Sequence, residues 1–152
     1  MSAQERRGGW ADALREYGLQ PHEQYIVEGD WGVKSGAEAF EELIRRNPDM
    51  SAVFANNDQM ALGVLHSAEQ MSLKVPDDLA VVGYDDIPEA AFFSPALSSV
   101  RQNLIELGGH AVEQVIKAIN TIAIEGSYAP ESAAIKPELV IRASSRKVLQ
   151  AE

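Results

Sequence analysis

The residues with the most chemistry to offer stand in two short clusters, each directly after an apolar run: Asn56-Asn57-Asp58 after Val53-Phe54-Ala55, and Tyr84-Asp85-Asp86 after Val81-Val82-Gly83. Amides and carboxylates held in place donate and accept hydrogen bonds in pairs, as a ligand rich in hydroxyls requires. Each bond with a charged partner is worth about 1.5 to 3 kcal/mol. Trp31, within Gly29-Asp30-Trp31-Gly32, offers an indole able to stack on a sugar face. Arg6 lies one turn before Trp10 at the start of a helix, where a cation opposes the helix dipole unless something negative or hydroxyl-rich lies opposite. Each residue also has a plainer use. Asn57 or Asp58 can cap the helix running through Met60, Asp86 can begin a turn before Pro88, and Trp31 can pack its loop onto the core.

Other chemistries find little support. His22, His66 and His110 are scattered and lack an i,i+4 partner, so they read as surface residues and no metal is expected. A Gly-x-Ser-x-Gly elbow, a P-loop and a Gly-x-Gly-x-x-Gly turn are absent from the sequence. The Asp85-Asp86 pair could hold Mg²⁺ at a strand end, but no phosphorylatable Asp with a Lys partner accompanies it. The expectation is a protein without catalysis, metal or cofactor.

The elements around these clusters alternate. Arg6 to Tyr17 puts Trp10, Ala13, Leu14 and Tyr17 on one helical face, ended by Gly18. Tyr25-Ile26-Val27 reads as a first strand, and Ser35-x-x-Glu38 as a capping box opening a helix to Arg46. A strand at Ala52 to Ala55 and a helix from Asp58 to Met71 follow, with Ala61, Val64, Leu65 and Ala68 as its apolar stripe. Leu79 to Gly83 is apolar at both alternations, which predicts a strand covered by helices on both faces. Ser98 to Arg101 is a short strand, Leu104 to Ile122 a helix with a buried stripe of Leu107, Ala111, Val115 and Ile119, and Glu138 to Arg142 a last strand before a polar tail. This order predicts an α/β fold with a parallel sheet, which binds ligands at the carboxyl ends of its strands, where both clusters sit.

The bulk properties narrow the function. A length of 152 residues suits one domain or part of one, and 45% hydrophobic with 24% charged residues is enough for a real core. The formal charge is −10, and Ser51 to Val100 has Lys74 as its one basic residue against seven acids, so the chain repels a phosphate backbone. Zero cysteines favour a reducing compartment, with cytoplasm the expectation. No apolar run reaches the length of a membrane span, and no export signal follows Met1.

Gly29-Asp30-Trp31, Ala55-Asn56-Asn57-Asp58-Gln59-Met60-Ala61-Leu62-Gly63 and Val75 to Asp86 resemble, in that order and spacing, the LacI/GalR family of transcription regulators. Pro95 to Gln102 and a Leu107-Gly108-x-x-Ala111 helix extend the likeness over nearly the whole chain. The resemblance implies a three-layer parallel sheet of the type I periplasmic-binding-protein kind, incomplete and mainly the C-terminal lobe. That lobe would span about 6–101 and 137–143, with a helix over about 103–123 that belongs to the N-terminal lobe. Because Arg6-Arg7-Gly8-Gly9-Trp10 matches an internal family pattern, a DNA-binding head, most of the other lobe and the first helix and central strand of this one are expected to lie outside the chain.

By position, the resemblance assigns effector contacts to Arg6, Trp31, Asn57 and Asp85, a lobe-crossover place to Gln102, and a dimer face to Leu62 and Phe93. It implies a sugar or sugar derivative as effector, a homodimer, and operator DNA reached only through the separate head. With half a cleft, a micromolar effector site falls to about −4 kcal/mol, so effector binding by this chain is expected to be negligible, no tighter than roughly millimolar. The helix from Leu104, lacking its usual sheet, predicts swapped or intertwined association. A sugar-binding subunit of an ABC importer is the alternative on the same fold.

Overall fold

A computed structural model describes residues 3–130 and 134–146. The chain divides into two compact units, Met1–Val100 with Leu139–Glu152, and Arg101–Glu138.

In the first unit, α1 (Ala3–Glu16) precedes a 3₁₀ turn (Glu23–Tyr25), α2 (Val33–Arg46), β1 (Ala52–Phe54), α3 (Asp58–Gln70), β2 (Ala80–Asp85), a second 3₁₀ turn (Pro88–Phe92) and β3 (Ser98–Arg101). With β4 (Glu138–Val140) these form a four-stranded sheet in the order β1-β2-β3-β4. β1 runs parallel to β2, pairing Val53 with Val81 and Phe54 with Val82. Val53 and Val81 are buried with Phe40, Ala61, Val64, Leu65, Leu79 and Leu97 in one core, which explains why the Ala61/Val64/Leu65/Ala68 spacing forms a helix there. The close packing of α2 on α3 needs two glycines: a Cβ on Gly36 would meet the backbone of Met60, and one on Gly63 the backbone of Val33 and Ala37.

Several sequence expectations change. Tyr25-Ile26-Val27 is not a strand: Tyr25 closes a 3₁₀ turn, and Ile26, although extended at φ −122° and ψ 128°, belongs to no ladder. β propensity alone does not make a strand where no neighbour supplies hydrogen bonds. Ser35 is no N-cap either, because Gly32 holds that place. The Ser35 hydroxyl instead donates to the Gly32 carbonyl and accepts from the Asp30 N–H, both at 3.0 Å, while Asp30 Oδ1 accepts from the Gly32 N–H. The polar loop folds on itself and starts the helix early. α1 begins at Ala3 rather than Arg6, and Tyr17 and Ala13 are exposed, so only Trp10 and Leu14 of the anticipated face turn inward, with Arg6 beside them.

Nor is the sheet covered on both faces. α2 and α3 cover the Val53/Val81 side, but Phe54, Val82 and Val100 line a cavity of about 1090 Å³ roofed by Arg6, Trp10 and Leu14 of α1. In the second unit, α4 (Leu104–Glu125) is capped by Asn103, whose Oδ1 accepts from the Glu106 N–H, and ends at Gly126 with φ 76°. Its anticipated buried stripe of Leu107, Ala111, Val115 and Ile119 is exposed, because among the described residues α4 packs on no other element of its unit. Past Val140 the chain leaves the ladder, and the tail from 147 lies outside the described residues.

Candidate functional site

The parallel pairing of β1 and β2 brings their carboxyl ends to one rim, and the two polar clusters leave from it. Asn57 does two jobs with one amide. Its Oδ1 accepts from the Met60 N–H at 2.8 Å, making it the N-cap of α3, and its Nδ2 donates to the Trp31 carbonyl at 2.9 Å. The capping expected of Asn57 or Asp58 is therefore carried by Asn57, and it coexists with a tie to the Trp31 loop.

Trp31 sits at φ 72°, a left-handed conformation that costs a residue with a Cβ about 1 to 2 kcal/mol and that the Asn57 bond helps to hold. The residue is 47% exposed, so it is no core anchor. The guanidinium of Arg6 stands 5.3 Å from the Trp31 ring centroid and 4.6 Å from that of Tyr84. The feature opposite this cation near a helix start is thus a pair of aromatic faces, an attraction of about 1 to 2 kcal/mol. Sequence reasoning named Tyr84 only as part of a polar cluster. Its ring, buried and edge-on to Phe54, is a wall of the site.

Asp85 follows at φ 102° and Asp86 at φ 55°, so the chain reverses sharply after β2 and leaves Asp85 exposed at the rim. Asp86 turns the other way. Arg142 Nη1 donates to its Oδ1 at 2.6 Å and to the Leu97 carbonyl at 2.7 Å. Asp86 is thereby occupied in holding the post-β4 chain, which removes it from a two-carboxylate metal site with Asp85.

The residue the sequence reading undervalued is Asp58. It is 1% exposed, with Oδ1 accepting from the Ser99 hydroxyl at 2.6 Å and Oδ2 from the Ile87 N–H at 2.8 Å. Ser99 in turn accepts from the Asp86 N–H at 3.0 Å. One carboxylate therefore fastens the loop after β2 to β3 and to the start of α3. Burial raises its pKa, while those two hydrogen bonds work to lower it. Asp58 immediately behind an Asn cap was the available signal, but only the fold shows which strand it meets.

Arg6, Trp31 and Asn57 are thus brought together, with Tyr84 joining them and Asp85 next along the chain. Gln102 lies in the second unit, where its carbonyl accepts from the Leu104 N–H at 3.0 Å. Leu62 is partly exposed on α3. Phe93 is partly buried against the core, while its neighbour Phe92 is 87% exposed.

Residues 1–145 match the family model of the periplasmic binding protein-like domain. The chain is 38% identical over 119 residues to the catabolite control protein A of Priestia megaterium, covering 78% of this chain and 36% of that protein. It is 32% identical over 146 residues to the HTH-type transcriptional repressor PurR of Actinobacillus pleuropneumoniae serotype 3, covering 96% and 43%. Among solved structures, the lac repressor dimer bound to operator and the anti-inducer ONPF superposes with a TM-score of 0.81 at 28% identity, covering 94% of this chain and 48% of that one. The chain thus spans less than half the length of these relatives. With the fold, the rim geometry and the sequence match in agreement, the chain belongs to the periplasmic binding protein-like family, in the form found in the effector-binding portion of LacI/GalR regulators.

Proposed function

We propose that this chain is the effector-binding and dimerisation portion of a LacI-type transcription regulator, with a sugar or sugar derivative as effector and no catalysis. The observation that carries the reading is the joined cluster of Arg6, Trp31 and Asn57 at the strand ends. It combines a half-exposed aromatic face, an amide fixed by its second hydrogen bond, and a guanidinium, with the Asp85 carboxylate at the same rim. Such a rim stacks on a sugar ring and pairs with its hydroxyls. Gln102, in the second unit, keeps the lobe-crossover place that the family resemblance assigns it. The effector acts by differential contacts with two lobe arrangements, and operator DNA is contacted by another part of the longer protein, in the cytoplasm.

Leu62 and Phe93 are assigned to a homodimer face, to which the exposed Phe92 adds apolar surface. The repressor relatives favour a regulator over an importer subunit. Among the described residues no helix is long and apolar enough to cross a membrane.

The test is an NMR titration with mono- and disaccharides at up to tens of millimolar. Binding of roughly millimolar strength, with shifts centred on Trp31, Asn57 and Asp85, is expected. Shifts centred elsewhere, or none with any sugar, would overturn the assignment of this rim.

A further inference from the structure

Two neighbouring side chains in the first turn of α3 reach to different parts of the rim. Asn57 Nδ2 holds the Trp31 carbonyl. Asp58 holds the loop after β2: its Oδ2 accepts from the Ile87 N–H and its Oδ1 from the Ser99 hydroxyl, while Ser99 Oγ accepts from the Asp86 N–H. The two backbone groups so fixed directly follow Asp85. Asp85 and Asp86 both lie in left-handed backbone, which residues with a Cβ rarely adopt unless their surroundings impose it. That reversal leaves Asp85 exposed at the rim and turns Asp86 to Arg142. The chain also keeps space for the carboxylate, because Gly83, two residues before Asp85 in β2, has no Cβ to collide with Asp58 Oδ1. Asp58 and Ser99 are buried, and Asp86 and Arg142 largely so, within the first unit.

We infer that Asp58, acting with Ser99, is a positioning residue for effector recognition: it sets where the Asp85 carboxylate stands, independently of the Asn57 tie that sets Trp31. The inference rests on the effector reading of the rim. With 1% exposure Asp58 does not reach a ligand itself, so whatever it does for binding passes through the backbone of Asp86 and Ile87. A carboxylate suits that task because its two oxygens accept from two donors at once, whereas an amide has a single acceptor oxygen. The adjacent residues thereby divide the work. Stacking on Trp31 suits the face of many sugars, while a carboxylate held in one place pairs with hydroxyls in one place. Asn57 governs the stacking partner and Asp58 the hydrogen-bonding one.

NMR of the 152-residue chain and of its Ser99→Ala, Asp58→Asn and Asn57→Ala variants tests this, first without any ligand. Ser99→Ala and Asp58→Asn should move the HN–Hα couplings of Asp85 and Asp86 from their wild-type values. They should also speed amide exchange at Asp86 and Ile87 about tenfold more than at Val81, whose N–H is held elsewhere by the Ser144 carbonyl. The Trp31 signals should stay in place. Asn57→Ala should do the reverse, moving Trp31 and sparing Asp85. A role in overall stability alone would speed exchange at Val81 as much as in the loop. Ser99→Ala keeps the carboxylate and carries the test if Asp58→Asn does not fold. Unchanged Asp85 and Asp86 couplings in a folded variant, exchange quickened equally at Val81, or Trp31 signals displaced as far as those of Asp85 would overturn the proposal. Titration with D-glucose and cellobiose among the mono- and disaccharides then separates it from the reading beneath it. Where the wild-type chain binds, Ser99→Ala should bind about tenfold more weakly, the loss of one charge-assisted hydrogen bond, and undiminished affinity would overturn the proposal. If no sugar shifts the wild-type rim, the effector reading fails, while the ligand-free couplings still decide whether Asp58 positions Asp85.

Discussion

Asn57 and Trp31 are joined by a single 2.9 Å hydrogen bond that reaches from the first turn of α3 to the backbone of a loop 26 residues earlier. The same amide caps the helix, so local helix geometry and the position of an exposed indole depend on one side chain. Asn57→Ala should cost about 1 to 2 kcal/mol in urea unfolding and should alter Trp31 fluorescence. Asn57→Asp keeps the cap acceptor but cannot donate. It should restore most of the stability while leaving the fluorescence change, which separates the two functions.

Asp58 makes stability depend on pH in an unusual direction for a carboxylate. Its folded pKa is raised by burial, so between its ordinary value of 3.8 and that raised value the native state binds the proton more tightly than the unfolded chain. Its contribution therefore falls as pH rises through that window and is constant above it. Asp30 and Glu42, held low by hydrogen bonds from Ser35 and Arg46, act in the opposite sense, with a contribution lost as pH falls. Asp58→Asn should abolish the Asp58 component in pH-dependent melts. It should also cost about 1 to 3 kcal/mol at neutral pH, because one amide oxygen cannot accept from both Ser99 and Ile87.

Gly83 is the counterpart of that buried carboxylate. A Cβ there would fall inside contact distance of Asp58 Oδ1 and 2.9 Å from Leu97 Cδ2. Gly83→Ala should destabilise by about 1 to 3 kcal/mol, read as a lower urea midpoint, since the crowded atoms belong to a fixed carboxylate and a packed leucine.

Arg142 holds the segment after β4 through Asp86 and the Leu97 carbonyl, and both charged side chains are largely buried. Arg142→Met leaves the Asp86 carboxylate without that cation and should cost about 3 kcal/mol in thermal or chemical unfolding. The double variant with Asp86→Asn should recover part of the loss, giving a coupling of the sign expected for a buried pair.

α4 exposes Ile105, Val112, Val115, Ile119 and Ile122 on its surface. A single surface this rich in large apolar side chains favours association, so sedimentation of the chain at micromolar concentration should give a mass above 16.5 kDa. Val115→Lys with Ile119→Lys should shift it towards the monomer. A monomeric wild-type chain at that concentration would rule out the intertwined association.

Period and punctuation alone were enough to read α3 and β2. Ala61, Val64, Leu65 and Ala68 at helical spacing, and Val81 between turn residues, point inward whatever surrounds them, because burial of apolar area is the dominant local preference. The residue types at the rim were legible for the same reason: they directly follow runs that can only be strands. What the sequence could not contain was partnership. Tyr25-Ile26-Val27 has strand composition but no ladder, and the α4 stripe has helical periodicity but no cover, since pairing and burial are properties of the neighbour as much as of the segment. Likewise only the tertiary structure decided that Asp58 faces inward to Ser99 while Asp85 faces out, and that Arg6 meets Trp31 and Tyr84. Those contacts span 25 to 78 residues of sequence. Their geometry is set by how β1, β2 and α1 stack, which no local pattern encodes.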